Sequence, residues 1–398
     1  MLEYRHAVDK GFGSGRPGVV NRVYLDHNAT SPLLPSVASA MSDLLSTRHT
    51  GNPSSLHGDG RRSRKIIEES RDKVADCLGV DSSEIIFTSG GTESNNLALG
   101  GLVNSSSAVS ASSTEHPSIL EVLKRLHAAG RSGSIIPVDT NGRVIPEEVP
   151  DNGIVSIQWI NNETGICQDL ESLAEFVHTG GGHFHSDGAQ GFFRKAYHLG
   201  DSPLDSASIT AHKAGGPTGV GVLWIRKGSL VEPTIHGGPQ EKKIRPGTEN
   251  LLAIHGIGVL AENFQKENPW NLDLLQTCRA NFLEHLKPLE GTRYVQHDSI
   301  DWPGCINVSF EGVHAETLLV RLDMAGISAS SGSACSSGAR EPSHVLKAMS
   351  VPGRMISGSI RLSLGPESTP DMAATAGNTI VQIVRELRTR TQGQPPVL

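Results

Sequence analysis

Apolar residues along this chain alternate between two rhythms. Short segments bounded by Gly, Ser and Asp predict strands: apolar runs at Ile85-Ile86-Phe87 and Gly221 to Ile225, and apolar residues interleaved with polar ones at Ile154 to Trp159, Gly182 to His185 and Ala207 to Thr210. Between them, apolar positions three and four apart predict helices over Ser63 to Leu78, Ser118 to Ala129 and Leu170 to His178, with another opening near Thr92. Strand and helix in alternation are what a mainly parallel sheet covered by helices requires, so the expected class is α/β. Two longer helices follow, roughly Asn250 to Gln265 and Leu272 to Leu286. The polar, proline-bearing stretch Lys266-Glu267-Asn268-Pro269-Trp270-Asn271 between them is the best domain boundary. The last third changes order: strand Ile306 to Phe310, helix Ala315 to Ala325, a small-residue loop, a helix to Met349, strand Ile360 to Ser363 and a helix from Pro370. That order predicts a compact α+β unit. Neither an internal repeat nor a coiled-coil heptad is present.

Composition narrows the class. A chain of 398 residues buries a large core and suits two domains. A net charge of -7 leaves no broad basic face for nucleic acid or an anionic membrane. The longest strongly apolar stretch, Val220 to Ile225, is strand-sized, far short of the ~20 residues of a membrane span. Residues 1–21, with Gly-Phe-Gly-Ser-Gly-Arg-Pro-Gly, are expected to form a flexible leader; Glu3, Asp9 and the lack of an amphipathic run oppose a transit peptide. The tail after Arg390 is short and Pro-rich. Five cysteines (Cys77, Cys167, Cys278, Cys305, Cys335), an odd count without a CxxC pair or metal-ligand spacing, point to free thiols in a reducing cytoplasm.

Cys335 stands apart from the other four. It lies in Ser328-Ala329-Ser330-Ser331-Gly332-Ser333-Ala334-Cys335-Ser336-Ser337-Gly338, whose small residues offer a thiol little to pack against. A thiol so placed suggests a sulfur that travels to a reaction. Thr88-Ser89-Gly90-Gly91-Thr92-Glu93-Ser94 follows a strand and opens a helix, which suits phosphate; an ordinary turn with Ser caps is the competing reading. Asp187, in His185-Ser186-Asp187-Gly188-Ala189-Gln190, ends a strand where α/β folds hold ligands, or it caps a helix. His183 and His185 share a strand face, but without a third ligand they suggest packing rather than a metal.

Lys213 comes directly after a strand, in Thr210-Ala211-His212-Lys213-Ala214-Gly215-Gly216-Pro217. An amine among neutral groups there can form an imine, although a single lysine is more often merely solvated. Asp187, Lys213 and the upstream glycine loop together are the three parts pyridoxal phosphate needs: a carboxylate for the ring nitrogen, an imine lysine and a phosphate cradle.

Further motifs carry a resemblance over about Val23 to Leu387. Leu25-Asp26-His27-Asn28-Ala29-Thr30, Gly51-Asn52-Pro53-Ser54-Ser55-Leu56-His57, Thr114-Glu115-His116, Asn161-Asn162-Glu163-Thr164-Gly165, Arg245-Pro246-Gly247-Thr248-Glu249-Asn250 and Ser331-Gly332-Ser333-Ala334-Cys335 resemble cysteine desulfurases of the NifS/IscS type, fold-type I, class V pyridoxal-phosphate enzymes. The resemblance implies a large domain near residues 34–269 with a mainly parallel sheet, and a small domain combining 22–33 with 270–398. It implies that Lys213 holds the cofactor, Asp187 pairs with the ring nitrogen, His116 stacks on the ring and handles protons, and Gln190 bonds the ring hydroxyl oxygen. Gly91, Thr92, Thr210 and His212 would bind phosphate, with Thr248 reaching in from the second subunit of a homodimer. Asn162 and Arg361 would hold the carboxylate of L-cysteine, and Cys335 would take its sulfur as a persulfide, leaving L-alanine. Rival readings are an aminotransferase or a cysteine/selenocysteine lyase on the same fold and, more remotely, a phosphate-binding module without enzymatic activity. Ala211 and Ser206 depart mildly from the family pattern. The end at Leu398, short of the tail with which the IscS type docks its scaffold, leaves the acceptor open; a scaffold protein is the expectation.

Overall fold

The computed structural model describes residues 22–47, 50–102, 108–332 and 342–392. The leader 1–21 and Cys335 lie outside the described residues. In chain order the elements are β1 (Val23–Tyr24), α1 (Pro35–Ser46), α2 (Gly58–Leu78), β2 (Ile85–Thr88), α3 (Gly91–Gly101), β3 (Val109–Ser112), α4 (Pro117–Ala128), β4 (Ile135–Ile136) and β5 (Ile154–Ser156). After them come α5 (Leu170–His178), β6 (His183–Asp187), β7 (Ser206–Thr210), β8 (Gly221–Ile225), α6 (Leu251–Lys266) and α7 (Leu272–Leu286). The last third holds β9 (Thr292–Tyr294), β10 (Cys305–Phe310), α8 (Ala315–Met324), β11 (Ile327–Ser328), α9 (His344–Ala348), α10 (Gly353–Ile356), β12 (Ser359–Ser363) and α11 (Pro370–Gln392).

Seven strands form one sheet in the order β2-β8-β7-β6-β5-β3-β4. All neighbours are parallel except β8, which runs antiparallel to both β7 and β2. The reason is local: the ten-odd residues joining β7 to β8 form a turn, too short for the crossover that a parallel partner needs. Side-chain alternation then divides the core. Ile86, Ile154, Leu223 and Ile225 pack with residues of α3 and α4, whereas Ile85, Phe87, Val222 and Trp224 join the larger core that includes α2 and α6. Burial on both faces explains why β2 and β8 read as continuous apolar runs.

A three-stranded antiparallel sheet, β12-β10-β9, lies in the last third, and α7 packs against α11. The N-terminal β1 pairs in parallel with β11, and Asp26 bridges Ser363. The first described residues therefore join the C-terminal part of the chain rather than the large sheet.

Several boundaries differ from the sequence pattern for identifiable reasons. The run Ile154 to Trp159 is strand only to Ser156, because the Gln158 N–H leaves the ladder for Glu115 Oε1 at 2.7 Å. β6 extends to Asp187, so the carboxylate sits on the strand itself. The strands β1, β3, β4 and β9 and the helix α1 give no clear periodic signal, being short or, like Val109-Ser110-Ala111-Ser112, rich in serine. No helix among the described residues is long and apolar enough to cross a membrane.

Candidate active site

The C-terminal ends of the central strands and the starts of the following helices surround a cavity of about 280 Å³. Its lining includes Gly91, Thr92, His116, Asn162, Asp187, Gln190, Thr210, His212, Lys213 and Arg361. Residues spread over 270 positions of sequence thus meet in one place. Thr248 is exposed and lies outside this cavity in its own chain.

Each wall has a local cause. The helix α3 begins at Gly91 after an N-cap glycine, Gly90, and no side chain caps it. The serine caps that an ordinary turn would have are not there: Thr88 Oγ1 and Ser94 Oγ pair with each other at 2.8 Å. The first N–H groups of the helix face a second opening that shares Gly91, Thr92, Thr210 and His212 with the main cavity. Thr210 Oγ1 is buried there without a partner.

Asp187 is nearly buried, and it caps a turn rather than a helix: Oδ1 accepts from Ala189 N at 3.0 Å. Its Oδ2 accepts from Asn95 Nδ2 at 2.8 Å, and the other hydrogen of that amide goes to Ser118 Oγ at 2.8 Å. Ser118 in turn meets His116, which caps α4 ahead of Pro117: Nδ1 accepts from Ser118 N at 3.1 Å and lies 2.8 Å from Ser118 Oγ. Because Nδ1 accepts a backbone N–H, the neutral ring carries its proton on Nε2. Burial, helped by the charge of Lys213, pushes the His116 pKa down to about 4, so the ring is neutral at pH 7.

Lys213 occupies the turn after β7, closed by Ala214 N and Gly216 N donating to Ala211 O. Ser31 holds the same turn from outside through Oγ to Lys213 O at 2.8 Å and N to His212 O at 2.8 Å. Burial and the Lys213 charge push His212 down to about 4 as well, and its Nδ1 lies 3.2 Å from Thr30 Oγ1.

Arg361 reaches the cavity from β12, buried and paired with Asp26 at 2.9 Å. Its Nη1 donates to the Asn162 carbonyl at 3.2 Å, while its Nε has no partner. The turn that presents Asn162 is built by Asn161, whose Oδ1 accepts from the N–H groups of Glu163 and Thr164 at 2.9 Å each. Gly165 closes it at φ 80, where a Cβ would collide with Cys305 and the Trp302 carbonyl.

The histidines on β6 are packing groups. His185, fully buried, lies 2.9 Å from Ser156 Oγ and 3.0 Å from Ser208 Oγ, and His183 lies 2.9 Å from Ser206 Oγ. Residues that the sequence pattern did not single out for the site are Asn95, Ser118, Asn28 and Gln158, all on the cavity lining. Asn95 falls one helical turn after Thr92, a spacing that puts both on one face of α3.

The donor set fits pyridoxal phosphate. An uncapped helix start and an orphaned Thr210 hydroxyl suit the phosphate, Lys213 supplies the amine, and an ordered carboxylate stands at Asp187. Residues 23–372 match the class-V aminotransferase family. The chain is 39% identical to cysteine desulfurase IscS of Dictyoglomus turgidum, over 92% of this chain and 95% of that protein. It is 37% identical to the cysteine desulfurase IscS of Methanosarcina thermophila, over 92% and 93% of the respective chains. A solved NifS-like protein superposes with a TM-score of 0.85 at 33% identity, covering 92% of this chain and all of that one. The chain belongs to the class-V aminotransferase family and, within it, to the pyridoxal-phosphate-dependent cysteine desulfurases.

Proposed function

We propose that this enzyme moves the sulfur of L-cysteine to the thiol of Cys335, giving L-alanine and a Cys335 persulfide. The Cβ–S bond of cysteine breaks and an S–S bond forms at Cys335. Of the two thiol hydrogens, one ends on the alanine methyl and one on the persulfide, so no outside oxidant or reductant is needed. Bound in the cavity, pyridoxal phosphate supplies the electron sink that weakens bonds next to the amino carbon.

The chain's own residues do the rest. Lys213 would hold the cofactor, Asp187 would pair with its ring nitrogen, and Gly91, Thr92, Thr210 and His212 would take the phosphate. Arg361, oriented by Asp26 and the Asn162 carbonyl, lines the cavity and would hold the substrate carboxylate, a task a guanidinium suits. His116, neutral with its proton on Nε2, would stack on the ring and handle protons at that nitrogen.

The single observation that carries the assignment of the nucleophile is the state of the other four thiols. Cys167, Cys278 and Cys305 are buried and Cys77 half-buried. Burial pushes Cys77 and Cys167 up to about 12 and Cys305 to about 11, and raises Cys278 too. A thiol needs its thiolate to attack sulfur, so none of these four is suited. Incubation with cysteine is expected to yield alanine and protein-bound sulfane sulfur in equal amounts. Pyruvate and free sulfide instead would establish a lyase and overturn the transfer.

We place the domain limits at 34–269 for the cofactor-binding unit and at 22–33 with 270–398 for the small one, on the support of the β1–β11 pairing. The exposed position of Thr248 supports a homodimer in which each copy lends this residue to the phosphate end of the other cavity; light scattering tests it, and a fully active monomer would refute it. The free thiols support a cytoplasmic enzyme. A protein scaffold is the proposed acceptor of the sulfur, and capture by the Cys335 persulfide form tests it.

A further inference from the structure

Arg194 is fully buried, and among the described residues it has no carboxylate within ion-pair distance. A buried cation without a counter-charge is costly unless polar groups replace its water. Here they do. Nη1 donates to Gln190 Oε1 at 2.6 Å and to Asn28 Oδ1 at 3.1 Å, and Nη2 donates to the His27 carbonyl at 3.3 Å. The guanidinium carbon also lies over the indoles of Trp270 at 4.3 Å and Trp302 at 5.3 Å. Even so, burial pulls its pKa down to about 9.

What this cation achieves is visible in the amides it touches. Gln190 has one neighbour that can only donate, Arg194, and one that can only accept, the Asn28 carbonyl, to which Nε2 donates at 3.0 Å. Turning the amide over would set an NH2 against a guanidinium and an oxygen against a carbonyl. One orientation is therefore enforced, and Nε2 keeps a second hydrogen on a residue that lines the cavity. Asn28 is locked in the same way, with Oδ1 on Arg194 and Nδ2 donating to the Asn162 carbonyl at 3.1 Å. That carbonyl also accepts from Arg361.

We propose that Arg194 is a positioning residue of the active site, whose guanidinium fixes the Gln190 amide so that the cavity is offered an N–H donor and never the amide oxygen. The proposal rests on the cavity being the pyridoxal-phosphate site. A donor at that wall favours the deprotonated form of the bound cofactor, and an oxygen there favours the proton-bearing form.

The test follows the visible absorption of the purified holoenzyme across a pH titration. Arg194→Met is expected to move the midpoint upward by about one unit, a tenfold change in the protonation equilibrium. Gln190→Ala is expected to move it in the same direction, and the double variant no further than the larger single shift, because Arg194 acts through Gln190. Arg194→Lys, which keeps a donor at Gln190 Oε1, is expected to restore most of the wild-type midpoint. If Arg194→Met does not fold, Gln190→Glu takes its place, since it offers the cavity only oxygens and leaves Arg194 paired; an upward shift supports the proposal and an unchanged midpoint overturns it. Unchanged midpoints in Arg194→Met, or shifts that add in the double variant, overturn it too. Failure of the unmodified chain to take up pyridoxal phosphate would instead sink the cofactor reading on which it rests.

Discussion

Asn95 Nδ2 lies 2.8 Å from Asp187 Oδ2 and joins that carboxylate to His116 by way of Ser118. The two groups expected at the ring nitrogen and the ring face are thus one hydrogen-bonded unit. A hydrogen bond to a charged group contributes about 1.5–3 kcal/mol, so Asn95→Ala is expected to weaken cofactor binding by roughly tenfold or more. Equilibrium dialysis of the variant against pyridoxal phosphate measures it, and an affinity equal to wild type would remove Asn95 from this role.

Loss of Lys213 separates covalent holding from the rest of the cavity. Lys213→Ala is expected to abolish the near-visible absorption band and turnover while the fold persists, since the turn at 211–216 is held by backbone bonds and by Ser31. A band that survives in Lys213→Ala would mean that another amine holds the cofactor.

Substrate binding and sulfur transfer are expected to come apart in a pair of cysteine variants. Cys335→Ser leaves Lys213, Asp187 and Arg361 intact, so adding cysteine should still perturb the cofactor spectrum, with no persulfide and almost no alanine. Cys167→Ser is the control: Cys167 is buried, its thiol pushed up to about 12, beside the Asn161–Gly165 turn. Abolished turnover in Cys167→Ser with normal turnover in Cys335→Ser would exchange their roles.

Acid sensitivity follows from the buried imidazoles. Burial lowers His185 and His27 to about 3 and His116, His212 and His297 to about 4, all below the usual 6.5. Below pH 6.5 the unfolded chain takes up protons that the folded one refuses until about pH 4, so stability falls as pH drops through that window. Thermal unfolding followed by circular dichroism is expected to show a midpoint that declines steadily from pH 6.5 toward 4.5. A flat profile over that interval would contradict the neutral, buried state of these rings.

Much of this enzyme was legible along the chain because its strongest signals are local. Both faces of the central strands are covered, so Gly221–Ile225 appears as a continuous apolar run, and helices such as Leu170–His178 carry their own periodicity. Lys213 could be singled out because it comes directly after a strand and ahead of Gly and Pro, and Asp187 because it ends another. Cys335 could be singled out by the smallness of its neighbours, although its place in space lies outside the described residues. Other features have no local signature. The membership of Val23–Tyr24 in the C-terminal part depends on pairing with Ile327–Ser328, some 300 residues away. The bridge from Asp187 to His116 through Asn95 exists only once α3, α4 and β6 are stacked. A buried guanidinium that sets the direction of an amide is the extreme case: in sequence Arg194 is one basic residue beside Lys195, and only the closing of Trp270, Trp302, Asn28 and Gln190 around it removes its water and turns its charge into orientation.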